Sequence, residues 1–261
     1  MTDSRRLPIL IFTDLDGTLL DHHSYDWHPA RPALDRLAAL GCGVILATSK
    51  TAPEVVQLRS EMGLSDWPAI VENGAGTLAG GSDDLPDAPD YAAIRAALDA
   101  LPGSLRGQFT GFGDMTDPEV ARTTGLSLPA ARRAKMRSFS EPGVWTGPEE
   151  ARAGFIAALE AQGIRARMGG RFLTLSFGRT KADAMAAITA RLAPALTVAL
   201  GDAPNDVEML EAGDIGIVIR NPDHAPLAPL SGEKTGRVWR EPLPGPVGWN
   251  RAIQQIIDDM S

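Results

Sequence analysis

The sequence predicts an α/β protein: a parallel sheet with helices on both faces, interrupted by a smaller α+β unit. Three observations carry this. Short apolar runs alternate with helical patterns from Pro8 to Val71, and the same alternation returns at Lys181. Such alternation is the mark of strand–helix–strand units and a parallel sheet. Between these stretches the rhythm changes, after a Gly-, Asp- and Pro-rich segment from Gly80 to Pro89 that reads as a linker. The expected division is therefore a first core segment at 1–82, an insert at 83–178 and a second core segment at 179–261.

The first run, Pro8 to Thr13, is short, continuously apolar and ends at Asp14, as a strand buried on both faces does. Arg31 to Leu40 follows as a helix, with Leu34, Leu37, Ala38 and Leu40 expected on one face. Gly41-Cys42-Gly43 stops it, and Val44 to Ala47 is the second strand. A helix from Thr51 to Gly63 leads to a third strand, Ala69 to Val71. In the insert, Asp90 to Leu101 places Tyr91, Ile94 and Leu98 at core spacing, and Glu149 to Gln162 carries Phe155, Ile156 and Leu159. Arg171 to Phe177 alternates, with Leu173, Leu175 and Phe177 apolar on one side, which implies an antiparallel sheet. The core resumes with a helix from Lys181 bearing Met185, Ile188 and Leu192, then strands at Leu196–Leu200 and Ile215–Ile219.

Composition narrows the class. A chain of 261 residues is long enough for a substantial core. Its net charge of −8 argues against a nucleic-acid binder, which presents a basic face. No apolar run approaches the ~18 residues that span a bilayer, and the single cysteine, Cys42, fits core packing in a reducing cytoplasm. The expected setting is cytoplasmic, without a membrane partner.

Four stretches can carry chemistry. Asp14-Leu15-Asp16-Gly17-Thr18 follows the first strand directly. In parallel α/β sheets ligands bind beyond the carboxyl ends of the strands. Two carboxylates one residue apart there divide the labour of nucleophile and acid/base, although a surface turn with an Asp cap has the same spelling. Gly201-Asp202-Ala203-Pro204-Asn205-Asp206 follows a later strand and offers oxygen ligands suited to Mg²⁺, or else an acidic turn with a helix cap. Thr48-Ser49-Lys50 opens a helix after the second strand, where hydroxyls and N–H groups hold phosphate oxygens or simply cap the helix. Lys181, entering the first helix after the insert, is placed either to neutralise a phosphoryl group or to sit in solvent. Gly74-Ala75-Gly76-Thr77-Leu78-Ala79-Gly80 looks like a dinucleotide loop, but its last glycine comes one position late.

Taken in order, these four stretches resemble the haloacid dehalogenase (HAD) superfamily. The resemblance implies a Rossmann-like parallel-sheet core with an inserted α+β cap of type IIB. It also implies Asp14 as nucleophile, Asp16 as acid/base, and Thr48 and Lys181 as holders of the phosphoryl group. Mg²⁺ would be bound by Asp14, Asp16 (through its carbonyl), Asp202, Asn205 and Asp206.

A narrower resemblance, to the mannosyl-3-phosphoglycerate phosphatases, rests on Phe12 to Trp27, Thr48-Ser49-Lys50-Thr51, Val71-Glu72-Asn73-Gly74-Ala75, Ser140-Glu141-Pro142 with Trp145, and Gly169-Gly170-Arg171-Phe172. It implies hydrolysis of mannosyl-3-phosphoglycerate, a small phosphorylated sugar–glycerate, to mannosylglycerate and phosphate. A glucosyl analogue, a broad sugar-phosphate phosphatase and a phosphomutase are the alternatives. The substrate contacts expected are Ser49, Lys50, Glu72 and Asn73 from the core, and Arg133, Arg167 and Arg171 from the insert, since arginine's planar fork suits carboxylates.

Overall fold

The computed structural model describes residues 7–169, 171–223 and 225–260. The expected first core segment includes residues 1–6, and the quoted Gly169-Gly170 pair includes Gly170; these lie outside the described residues.

The chain opens with β1 (Ile9–Thr13), α1 (Arg31–Ala39), β2 (Gly43–Leu46), α2 (Ala52–Glu61), β3 (Ala69–Val71) and β4 (Gly76–Leu78). The insert holds α3 (Pro89–Asp99), α4 (Gly103–Arg106), β5 (Phe109–Gly111), α5 (Asp117–Thr124), α6 (Leu128–Ala134), β6 (Ser140–Trp145), α7 (Glu149–Glu160), β7 (Arg165–Gly169) and β8 (Phe172–Ser176). The core resumes with α8 (Lys181–Leu192), β9 (Leu196–Gly201), α9 (Val207–Ala212), β10 (Ile215–Arg220), β11 (Val238–Pro244) and α10 (Gly245–Asp259).

Five strands form the main sheet in the order β11-β10-β9-β1-β2, every neighbouring pair parallel. β1 lies at its centre, with Phe12 opposite Ile45 on one side and Ala199 on the other. All five of its residues are buried, which explains its unbroken apolar spelling. Ile9 and Ile11 face a layer built from α1, α2 and α10, whereas Leu10 and Phe12 face α8 and α9. The result is a three-layer α/β/α core.

The insert carries a separate antiparallel sheet, β5-β6-β8-β7, with its own apolar core of Ile94, Leu98, Phe155, Leu159, Leu173 and Leu175. The expected fold class is thus observed, an α/β core with an inserted α+β cap.

Several local expectations change. In α1 the buried face is Ala33, Leu34 and Leu37, while Ala38 and Leu40 are exposed because the helix turns them outward. Phe177 falls just past β8 and is exposed, so the inward alternation stops at Leu175. β3 pairs antiparallel with β4 and meets the main sheet at a bridge between Ile70 and Ala47. Gly76 to Leu78, within the glycine-rich stretch, is strand β4. Among the described residues, no helix is long and apolar enough to cross a membrane.

Candidate active site

Four neighbouring parallel strands, β10-β9-β1-β2, deliver polar residues at their carboxyl ends. Asp14 follows β1, Asp202 follows β9 and Asn221 follows β10 directly, and Thr48 comes two residues after β2. Parallel pairing puts all four ends on one edge of the sheet, so residues far apart in sequence converge there.

The centre is a buried charge cluster. Lys181, at the first position of α8, is fully enclosed; its ammonium donates to Asp14 Oδ1 at 2.6 Å and to Asp206 Oδ1 at 2.7 Å. Burial disfavours that charge, but Asp14 and Asp206 outweigh it and lift the lysine's pKa. Asp14 is pushed well above the usual carboxylate range, first by burial; Lys181 opposes this, and Asp206, Asp202 and Asp16 add to it. Asp202 is raised by burial too, against hydrogen bonds from Asn221 and Thr18.

The acidic loop is organised by its own backbone. Asp206 Oδ2 accepts from the amides of Asp202 and Ala203, both at 3.1 Å, which folds 202–206 into a tight turn. Thr18 Oγ1 donates to Asp202 Oδ1 at 2.6 Å, and Asn221 Nδ2 donates to Asp202 Oδ2 at 2.7 Å. Gly17, at φ +84°, lets these approach; a Cβ there would lie 2.9 Å from Asp202 Oδ2. Beneath the cluster, Thr13 Oγ1 accepts from Trp249 Nε1 and donates to the carbonyl of Asp14, so α10 braces the backbone at this position.

Asp14, Asp202 and Asp206 each offer a buried carboxylate oxygen, all within 4.8 Å of one another. Three carboxylates against one ammonium leave an excess of negative charge, and an all-oxygen donor set suits a hard divalent cation such as Mg²⁺. The side chain of Asn205, in the same loop, is exposed and donates to Asn73 Oδ1 at 3.1 Å. The carboxylate of Asp16 also turns elsewhere, pairing with Lys50 Nζ at 2.9 Å. Burial opposes the charge on Lys50, but Asp16 and Glu54 prevail and raise its pKa.

Thr48 is buried and receives the amide of Lys50 on its hydroxyl at 3.2 Å, while Ser49 is exposed beside it. The helix itself is capped by Thr51 with Glu54. Next to Lys50 a cleft of about 400 Å³ opens between the core and the insert, with Tyr25, Gln57, Leu126, Ser127 and Arg133 on its walls. Of the three arginines expected at the substrate, only Arg133 lines this cleft. Arg167 is exposed and faces Glu208 of α9 at 3.6 Å, and Arg171 is exposed against the ring of Phe172. Glu72 is buried and turned to the insert rather than to the cleft.

Asn221 was not among the expected residues. The signal was present, an asparagine directly after an apolar strand and before a proline, but Asn-Pro reads equally well as an ordinary turn.

A family model described as haloacid dehalogenase-like hydrolase matches residues 11–84, the stretch that contains Asp14, Asp16 and Thr48. Solved structures align over nearly the whole length. One is a phosphatase of the haloalkanoate (HAD) enzyme superfamily from Bacteroides thetaiotaomicron, at 18% identity and TM-score 0.66, covering 98% of this chain and 97% of the other. The chain has the HAD fold. A HAD subclass IIB sugar phosphatase aligns at 18% identity and TM-score 0.62, over 95% of this chain and 98% of the other. The sucrose-phosphatase of Synechocystis, solved with sucrose and phosphate, aligns at 15% identity and TM-score 0.61, over 97% and 98%. The subclass IIB alignment spans both the core and the insert of this chain.

Proposed function

We propose that this protein is a Mg²⁺-dependent phosphoric monoester hydrolase that works through a phospho-aspartate on Asp14. The observation that carries the reading is the convergence of Asp14, Lys181, Asp202 and Asp206 at the carboxyl edge of the sheet, with Asp16 two residues from Asp14. The HAD-like family match over 11–84 supports it.

In the first step a carboxylate oxygen of Asp14 attacks phosphorus, and the bond to the leaving oxygen breaks as Asp16 supplies a proton to it. In the second, Asp16 takes a proton from water, whose oxygen attacks the acyl phosphate and frees Asp14 and inorganic phosphate. Lys181 holds Asp14 and offsets the charge that builds on the phosphoryl oxygens, and Thr48 supplies a hydroxyl beside them. Lys50, which lines the cleft, pairs with the carboxylate of Asp16. Mg²⁺, held by Asp14 and Asp202 with Asp206 adjacent, would keep Asp14 ionised despite its burial and neutralise the phosphate. Residues 83–178 act as the cap.

The substrate we favour is mannosyl-3-phosphoglycerate, hydrolysed to mannosylglycerate and phosphate. Its support is the sequence resemblance, above all Ser49-Lys50 where most of the subgroup has Gly-Arg. The cleft beside Asp16 suits a sugar-bearing leaving group, since it combines an aromatic ring, hydroxyl and amide groups and two cations. The same mixed walls favour a broader sugar-phosphate phosphatase as the second reading, as do the sugar phosphatases among the aligned structures.

The deciding experiment is phosphate release, with Mg²⁺ and with EDTA. The panel is mannosyl- and glucosyl-3-phosphoglycerate, 3-phosphoglycerate, simple sugar phosphates and p-nitrophenyl phosphate. Preference for the mannosyl ester supports the specific substrate, and even turnover of several sugar phosphates supports the broader one. Transfer of phosphate to a second sugar hydroxyl without release would indicate a phosphomutase. Silence on every ester, or near-normal activity of Asp14→Asn, removes the phosphatase reading.

A further inference from the structure

Three consecutive residues after β3 have left-handed backbones: Glu72 at φ 51°, Asn73 at φ 60° and Gly74 at φ 95°. Two of them bear side chains, and such a conformation costs energy for an ordinary residue. The turn is held by the segment after β2, because the amide of Glu72 donates to Lys50 O and that of Asn73 donates to Thr48 O. Gly74 is pressed against the start of α8, where a Cβ would meet the Thr180 carbonyl carbon at 2.1 Å and Lys181 N at 2.4 Å.

The strained turn aims one carboxylate across the core–cap boundary. Glu72 Oε1 accepts from the amide of Ser138 at 2.8 Å; Oε2 accepts from the amide of Phe139 at 3.2 Å and from Ser140 Oγ at 2.7 Å. Arg137 Nε stands 3.2 Å from the same Oε2. Arg137 then reaches back to the core, donating to Ser49 O at 3.4 Å. Glu72 and the Arg137 side chain are both buried, so the pair is shielded from water and salt. Residues 137–140 are separated by two residues from the end of α6, the helix that brings Arg133 to the cleft and whose Arg133 carbonyl accepts from Thr51 Oγ1 at 3.0 Å.

We infer that the Glu72–Arg137 pair is a clasp that registers the cap against the phosphoryl site and sets the position of α6 over the leaving-group cleft. Glu72 is thus a positioning residue, and it acts on substrate only through α6. The turn's bonds to Thr48 and Lys50 are made by backbone amides and not by the carboxylate. Loss of the carboxylate therefore loosens the cap while leaving the phosphoryl-transfer groups in place. The inference rests on the phosphatase reading for its kinetic arm but not for its structural arm.

The test uses Glu72→Gln, which keeps one acceptor oxygen, Glu72→Ala and Arg137→Gln. For mannosyl-3-phosphoglycerate, Glu72→Ala is expected to raise KM and cut kcat/KM by up to about 100-fold, with kcat/KM for p-nitrophenyl phosphate kept within about threefold. Glu72→Gln should fall between it and the wild type. Independently of activity, hydrogen exchange in Glu72→Ala should become about tenfold faster across both 128–136 and 137–141, as expected when hydrogen bonds to a charged group are lost. Equal kinetic losses on both esters, or faster exchange confined to 137–141, would overturn the clasp. If the wild type is silent on every ester of the panel, the phosphatase reading fails, and the exchange at 128–136 still decides whether the clasp holds α6.

Discussion

Lys181 Nζ lies between Asp14 Oδ1 and Asp206 Oδ1, at 2.6 Å and 2.7 Å, and is the shared counter-ion of two buried carboxylates. A buried group that pairs two others is more costly to remove than to have kept, because both partners are then left uncompensated. Lys181→Met should therefore lower stability by about 3–5 kcal/mol in EDTA, read from urea unfolding. Phosphate release should fall by at least about 100-fold. Mg²⁺ should recover part of the stability but not the activity. A variant as stable as the wild type in EDTA would mean that the cluster carries less charge than its geometry implies.

Asn221 makes a different kind of contribution. Its amide fixes Asp202 Oδ2 while Thr18 fixes Oδ1, so the carboxylate cannot rotate. Groups that orient a metal-binding carboxylate typically matter by 10–100-fold in affinity, and about that loss in Mg²⁺ affinity is expected for Asn221→Ala. A Mg²⁺ titration of phosphate release gives the value, and kcat at saturating Mg²⁺ should stay within about threefold of wild type. An unchanged titration curve would show that Thr18 alone suffices.

What the sequence made legible follows from how each element is buried. β1, β2, β9 and β10 are enclosed on both faces and spell short apolar runs, so the polar residues after β1, β2 and β9 stand out, whereas Asn221 after β10 is masked by the Asn-Pro turn signal. β11 did not stand out, since only Val238 and Glu241 are fully buried and its segment carries Arg240 and two prolines. β6 contains Pro142 and Gly143 yet runs between β5 and β8; a proline argues against an inner strand, and the apolar pattern is missing. The helix α10 has Trp249, Ala252, Ile253, Ile256 and Ile257 buried at helical spacing, a periodicity legible in the sequence although no element was expected there. At the site, residues following strands were found together, whereas Arg133, Arg167 and Arg171 had no pattern to separate them. The packing of α6 on α2 is a tertiary contact that brings Arg133 to the cleft.

Gly74 offers a steric test of the turn beside α8. It combines φ 95° with backbone contacts that leave no room for a methyl group, and the obstructing atoms belong to Thr180 and Lys181. Because backbone cannot swing aside as a side chain does, Gly74→Ala should displace the start of α8 and with it the lysine ammonium. A destabilisation of about 2–3 kcal/mol and a loss of most activity are expected, since strain and overpacking add here. Urea unfolding and phosphate release measure the two. Gly63→Ala, at φ 70° with open space around it, is the control: it should cost only about 1 kcal/mol and leave activity intact.

Asp114 in the cap gives a pH-dependent prediction remote from the catalytic cluster. Burial works against its ionised form, but hydrogen bonds from Arg95, Arg106 and the Gly111 amide prevail and bring its pKa down to about 2. A carboxylate depressed in the folded state adds stability that is fully present above its unfolded pKa, near the ordinary value of 3.8, and is lost as pH falls toward the folded value. Asp114 is partly exposed, so solvent screening leaves its contribution at neutral pH at about 1 kcal/mol. Asp114→Asn should therefore be clearly less stable than the wild type at about pH 6, and the gap should narrow between about pH 4 and pH 2. Urea midpoints for both proteins across that range give the difference directly. A gap that stays constant down to pH 2 would place the cost of the substitution in lost packing rather than in the charge of Asp114.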